Sequence, residues 1–142
     1  MIRIMIAEDS AEQNAQYRKF LTNDKNIEVV AQTYDGEQTL LKYFECKPDL
    51  LILDLDLPKI NGLEVIDRIS EFPDEKKKCN ILVVSGKDTF RHKLYNTAKV
   101  YMNLQKPVTN ETILELVKDF DKERLSNYDL NENDIKKLLI SF

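Results

Sequence analysis

Leu50-Leu51-Ile52-Leu53 is an apolar run that ends without transition on Asp54. A run unbroken by polar residues suits a strand buried on both faces, as in the interior of a parallel sheet. A carboxylate at the carboxyl end of such a strand is costly to hold unless the fold uses its charge. In open α/β sheets that end is where ligands bind. The residues that follow, Leu55-Asp56-Leu57-Pro58 and then Asn61-Gly62, supply a second acid, a proline and a turn. The pattern predicts a layered α/β fold that presents Asp54 at one edge of its sheet.

Other segments end in the same way. Ile2, Ile4 and Ile6 alternate around Arg3 and Met5, and the segment closes on Ala7-Glu8-Asp9-Ser10. Ile81-Leu82-Val83-Val84 runs into Ser85-Gly86, and a stretch from Val100 to Leu104 leads to Gln105-Lys106-Pro107. If these strands lie parallel, Glu8, Asp9, Asp54, Ser85 and Lys106 converge on one edge.

Helical patterns lie between the strands. Ser10-Ala11-Glu12-Gln13 reads as a capping box, followed by Tyr17, Phe20 and Leu21 on an apolar face. Val29, Val30 and Ala31 mark a further strand; Asp35-Gly36-Glu37-Gln38 caps a helix with Leu40, Leu41 and Phe44 facing inward. A helix from Gly62 carries Leu63, Ile66 and Ile69, a polar one is expected over residues 88–99, and Thr109 caps a last one with Ile113, Leu116, Val117 and Phe120. Five alternations of strand and helix predict a doubly wound parallel sheet with helices on both faces. Residues 1–121 are expected to form this domain and residues 122–130 a polar linker. In residues 131–142, Ile135, Leu138, Leu139 and Phe142 are spaced as the apolar stripe of an extra helix, expected to open an output domain.

Composition excludes some classes. Charged residues make up 32% of the 142, with a formal charge of −4, which gives neither a basic field for nucleic acid nor a membrane-binding stripe. Lys76-Lys77-Lys78 reads as a solvated connection, and no stretch approaches the ~20 apolar residues needed to cross a bilayer. No signal peptide precedes the first strand, and Cys46 and Cys79 have no metal-ligand spacing, so a reducing cytoplasm is expected. His92, the only histidine, lies in a polar segment without neighbouring ligands.

Three carboxylates gathered in a partly desolvated site repel one another unless a cation joins them. Mg²⁺ suits such a site, because it takes one or two carboxylates, keeps several waters and completes its shell with phosphate oxygens. A carboxylate beside Mg²⁺ can act as a nucleophile toward phosphorus and form an acyl phosphate. A lysine and a hydroxyl at the same point can hold oxygens of the transferred group.

Glu8-Asp9, Leu53-Asp54-Leu55-Asp56-Leu57-Pro58 with Asn61-Gly62, Ser85-Gly86 and Lys106-Pro107, in this order, resemble the motif set of two-component response-regulator receiver domains, the CheY-like family. The resemblance covers residue 1 to about residue 120. It implies a flavodoxin-like strand order of 2-1-3-4-5 and phosphorylation of Asp54 by a sensor histidine kinase. Mg²⁺ would lie on Asp9 and Asp54, with Asp56 joining through its backbone carbonyl and Glu8 through a metal-bound water. Ser85 and Lys106 would bind the phosphoryl group, and the Lys106-Pro107 peptide would be cis. A homodimer on phosphorylation is a further family property. The tail resembles the start of output domains in relatives of the sporulation master regulator, which implies transcriptional output, with DNA contacted only through a further domain.

The resemblance has departures. Asn103 stands where the family usually has a switching Tyr or Phe, with Tyr101 two residues earlier; Ala98-Lys99 replaces a usual Gly-Ala, and the interval from Ser85 to Lys106 is one residue short. Asp56 and Lys87 occupy the positions that tune phosphoryl lifetime and are placed to pair over the site. These departures keep open a pseudo-receiver, a binding module that switches without phosphate. Asp54-Leu55-Asp56 also resembles the acid pair of haloacid-dehalogenase-type phosphatases, although those carry it on the first strand, followed by Gly-Thr.

Overall fold

The computed structural model describes residues 1–72, 79–86, 98–126 and, singly, Lys136 and Leu139. Its elements are β1 (Ile2–Ala7), α1 (Ala11–Leu21), β2 (Ile27–Thr33), α2 (Gly36–Cys46), β3 (Leu50–Leu53), α3 (Gly62–Ser70), β4 (Ile81–Ser85), β5 (Val100–Gln105) and α4 (Asn110–Ser126). The strands form one sheet in the order β2-β1-β3-β4-β5, every neighbouring pair parallel. This is the doubly wound, CheY-like order that the resemblance implied. The expected helix over residues 88–99 lies outside the described residues except for Ala98 and Lys99, as do Lys76-Lys77-Lys78, Lys87 and His92.

The sheet divides the apolar interior into two cores. Ile4, Ile6, Leu50, Ile52, Leu82 and Val84 face α1 and α4, where they meet Tyr17, Leu21, Ile113, Val117 and Phe120. Met5, Leu51, Leu53, Ile81 and Val83 face the other way, onto Tyr43, Val65, Ile66 and Ile69. Strict alternation in β3 follows from the two-residue period of a strand. Both faces are covered, so β3 can be apolar throughout.

Helix starts are fixed locally. Asp35 Oδ1 accepts from the amide of Gln38 (2.8 Å) and Asn61 Oδ1 from that of Glu64 (3.0 Å). Thr109 Oγ1 accepts from the amide of Thr112 at 3.1 Å. Each side chain satisfies one of the amides that a helix leaves open at its first turn. Ser10 forms half of its box: its hydroxyl accepts from Gln13 N (3.2 Å), but its own amide donates to Glu8 Oε2 at 3.0 Å. The carboxylate has replaced glutamine as the reciprocal partner.

Two expectations are corrected. In α2 Thr39 and Tyr43 are buried and Leu40 packs against the core as expected, while Leu41 and Phe44 are exposed. The rotation is set by polar contacts: Thr39 Oγ1 lies 2.7 Å from Thr33 Oγ1, and Asn80 Nδ2 donates to Tyr43 Oη at 3.0 Å. The last helix, α4, runs to Ser126, so residues 122–126 are helical rather than linker. Arg124 holds this final turn through Asp121 (2.7 Å) and Asp49 (3.6 Å). The rest of the tail lies outside the described residues except Lys136 and Leu139, both helical and exposed. No helix among the described residues is long and apolar enough to cross a membrane.

Candidate functional site

The sheet's hydrogen-bond ladder continues one residue past three strands and fixes the site. Glu8 N donates to Thr33 O (3.1 Å), Asp54 N to Ala7 O (2.9 Å) and Lys106 N to Ser85 O (2.8 Å). The backbones that carry the two buried acids and the lysine are therefore held by strand pairing. Ser85 is fully buried at the end of β4. The Lys106-Pro107 peptide is cis.

Lys106 Nζ lies 2.7 Å from Glu8 Oε1 and 3.2 Å from Asp54 Oδ2. The second oxygen of each acid meets a backbone amide: Ser10 N donates to Glu8 Oε2 (3.0 Å) and Asp56 N to Asp54 Oδ1 (2.9 Å). Glu8 and Asp54 are buried and Asp9 is exposed. One carboxylate oxygen from each of Glu8, Asp9 and Asp54 lies within 4.8 Å of the others. Such an oxygen-only set, two acids buried and one open to solvent, fits a hard divalent cation. The Asp56 carboxylate is not part of this cluster: the side chain is exposed, and it is the Asp56 amide that donates to Asp54.

Burial raises the pKa of Glu8; its hydrogen bonds to Lys106 and Ser10 oppose that shift, while Asp9 and Asp54 add to it. Burial alone would lower the pKa of Lys106, but the Glu8 hydrogen bond and the charge of Asp54 outweigh it and hold the ammonium above the ordinary lysine range. Lys106 is thus a fixed positive charge at the acids.

The loop after Asp54 is folded back by close contacts. Gly62 N donates to Leu55 O at 2.9 Å, and Gly36 N to Pro58 O at 3.1 Å. A Cβ on Gly36 would lie 1.7 Å from the Ile60 carbonyl oxygen, so α2 abuts this loop directly. Lys59 adopts a left-handed φ of 67° and pairs with Asp35 at 3.6 Å.

Sequence reasoning missed Asn14. It is fully buried on α1, and its Nδ2 donates to the carbonyls of Glu8 and Thr33, both at 3.1 Å. Its Oδ1 accepts from Gln32 Nε2 at 2.8 Å. The residue ties α1 to the end of β1 just where Glu8 departs. Tyr17, read as an apolar-face residue, also senses the site: burial raises its pKa, Lys106 opposes the shift, and Glu8 and Asp54 reinforce it. Positions 14, 17 and 21 share the buried face of α1. An asparagine in that face was the available signal.

Asn103, on β5, pairs in register with Val83 of β4. Tyr101 packs edge-on against Phe120 of α4, with ring centroids 5.1 Å apart and an interplanar angle of 74°. The aromatic is held by α4, two residues from the position that would carry a switching ring.

Residues 4–118 match the family described as the response regulator receiver domain. Among curated relatives, the protein-glutamate methylesterase/protein-glutamine glutaminase of Bacillus subtilis (strain 168) is 38% identical over 71 residues, 50% of this chain and 20% of the relative. The oxygen regulatory protein NreC of Staphylococcus haemolyticus is 34% identical over 102 residues, 71% of this chain and 47% of the relative. The chain thus spans less than half the length of either. The REC domain of AraT, a response regulator from Geobacillus stearothermophilus, superposes with a TM-score of 0.74 at 29% identity, covering 91% of this chain and 98% of that one.

Proposed function

The chain belongs to the response-regulator receiver family, and from that membership we propose that Asp54 accepts a phosphoryl group from a sensor histidine kinase in the cytoplasm. The observation that carries this reading is Lys106 bridging Glu8 and Asp54 beside exposed Asp9 at the carboxyl edge of the sheet. In the transfer, an Asp54 carboxylate oxygen forms a bond to phosphorus as the phosphorus–nitrogen bond of the donor phosphohistidine breaks. The freed imidazole keeps the electron pair and takes up a proton. Asp54 is held for this by the Asp56 amide on one oxygen, which leaves Oδ2, the oxygen facing Lys106, to react.

Glu8, Asp9 and Asp54 would hold Mg²⁺, with Asp56 contributing its backbone carbonyl. When bound, the cation offsets the negative charge that gathers on the phosphoryl oxygens. Lys106 would turn from Asp54 to a phosphoryl oxygen, and the Ser85 hydroxyl would bind another. The domain would run from residue 1 to the end of α4 at Ser126 and catalyse only its own phosphorylation and dephosphorylation. Output, read as transcriptional, would come through a further region beginning near residue 131, with a homodimer of the phosphorylated form as the active species.

Asn103 favours a second reading, a module that binds partners without phosphorylation. One experiment separates the two: intact mass after incubation with acetyl phosphate and Mg²⁺, for wild type and Asp54→Asn. A single phosphoryl adduct on wild type, lost with EDTA and in Asp54→Asn, supports the phospho-acceptor. No adduct, together with no binding of beryllofluoride, overturns it in favour of the module.

A further inference from the structure

Arg18, Gln32 and Asn14 form a hydrogen-bonded chain that runs from the surface of α1 to the backbone of the acid cluster. Arg18 Nη1 donates to Gln32 Oε1 at 2.9 Å, and Gln32 Nε2 donates to Asn14 Oδ1 at 2.8 Å. Asn14 Nδ2 then donates to the carbonyls of Glu8 and Thr33. A guanidinium only donates and a carbonyl only accepts, so both ends impose the same polarity. Each amide has one orientation that satisfies the chain, and Asn14 must turn its nitrogen to the backbone.

The Glu8 carbonyl belongs to the planar peptide that joins Glu8 to Asp9. Glu8 N donates to Thr33 O, which also accepts from Asn14, so Asn14 closes a ring around the Glu8 backbone. Both acids depend on the plane of that peptide. Asp9 leaves from its nitrogen side with an exposed carboxylate, and the Ser10 amide that holds Glu8 Oε2 comes one residue later. Without the Asn14 donor the plane can turn about its two flanking bonds, and the two carboxylates move with it.

We propose that Asn14 is a positioning residue for a divalent cation: by fixing the Glu8-Asp9 peptide it sets where the Glu8 and Asp9 carboxylates meet the ion. Oxygens of Glu8, Asp9 and Asp54 lie within 4.8 Å of one another, and Asp54 is placed separately, through Ala7 and the Asp56 amide. Asn14 therefore governs the part of the cluster that pairing between β1 and β3 does not. The inference rests on the cation site of the proposed function and is independent of phosphoryl transfer to Asp54.

Titration of the full chain with Mn²⁺ tests it, since manganese takes the same oxygen ligands and its free ion gives a paramagnetic resonance signal that falls on binding. Asn14→Ala should bind Mn²⁺ about tenfold more weakly than wild type, as expected for outer hydrogen-bond partners of metal ligands. Ile2→Val destabilises the same core about 20 Å away, at the start of β1, and should bind as wild type does. Gln32→Glu reverses the polarity of the chain: its carboxylate only accepts, so Asn14 must face it with its nitrogen and leave the Glu8 carbonyl. The added negative charge would by itself strengthen cation binding, so weaker binding in this variant reports the lost donor. It keeps its pair with Arg18 and decides the matter if circular dichroism shows that Asn14→Ala does not fold. Binding within about twofold of wild type in folded Asn14→Ala overturns the proposal, as do equal weakening in Ile2→Val and unchanged or tighter binding in Gln32→Glu. Wild type that binds no Mn²⁺ overturns the cation site and this inference with it, whereas failure to accept a phosphoryl group is read separately, by mass.

Discussion

Lys106 lies closer to Glu8, at 2.7 Å, than to Asp54, at 3.2 Å. The ammonium therefore serves as the counter-charge of a cluster that would also hold a metal, and a bound cation must share or displace it. Glu8 is almost wholly buried, so removing its partner leaves a charge with little solvent. Lys106 is about one-third exposed, and water screens part of the loss. Lys106→Ala should destabilise the metal-free protein by about 1–2 kcal/mol. Mg²⁺ should then raise the urea midpoint of the variant more than that of wild type. Equal shifts in the two proteins would rule out competition between the ammonium and the cation.

Asn14 makes its hydrogen bonds with no water to replace them. Asn14→Ala removes the side-chain donor from the Glu8 carbonyl and one of two donors from the Thr33 carbonyl, and leaves Gln32 Nε2 only its 3.5 Å contact with the Asn14 carbonyl, so a loss of about 1–2 kcal/mol is expected in urea unfolding. Asn14→Asp should cost at least as much, because a carboxylate offers no donor to the Glu8 and Thr33 carbonyls. A loss below 0.5 kcal/mol for both variants, roughly that of a surface change, would contradict the role of Asn14 in joining α1 to β1.

Gly36 and Gly86 should respond oppositely to a methyl group. At Gly36 the added carbon would overlap the Ile60 carbonyl, and Gly36→Ala should cost about 3 kcal/mol. At Gly86 nothing lies within 4 Å among the described residues, and Gly86→Ala should stay within about 0.5 kcal/mol of wild type. Thermal melts of the two variants measure the contrast.

Tyr101 should titrate late. Burial and the neighbouring Glu123 push its phenol up to about 12 from an ordinary 10.0. The folded chain keeps a proton that the unfolded chain gives up, so the contribution is complete below pH 10 and is lost as pH rises toward 12. Tyrosinate absorbance should show a component of the six tyrosines ionising near the upper value, absent in Tyr101→Phe. The stability of wild type should also fall more steeply than that of the variant across this window.

The strands and the residues at their ends were legible because chemistry interrupts apolarity: Leu53 gives way to Asp54, Ala7 to Glu8, Val84 to Ser85. Helix starts were legible for a related reason, since Asp35, Asn61 and Thr109 act through amides only a few residues away. The strand order came from the family resemblance, because spacing alone does not say which strands are neighbours. The rotation of α2 was hidden: hydrophobicity favours Leu41 and Phe44 inward, whereas the hydroxyls of Thr39 and Tyr43 find partners only once β2 and Asn80 are in place. Asn14 was hidden likewise, its partners lying on two strands brought together by the fold. The end of α4 was misread because its final turn depends on Asp49, which lies 75 residues away in sequence (124 − 49).

β3 offers almost the same hydrophobicity to both cores, with Leu50 and Ile52 on one side and Leu51 and Leu53 on the other. Its apolar pattern therefore does little to forbid a slip of one residue, the error that alternating strands resist. Asp49 and Asp54 supply what the pattern lacks. Asp49 Oδ2 accepts from the amide of Arg3 at 2.8 Å, and the amide of Asp54 donates to Ala7 at 2.9 Å. A shift in either direction would drag one of these carboxylates between the leucines. Asp54 is thus also a ruler mark: the residue that would carry the chemistry tells the middle strand where to stop.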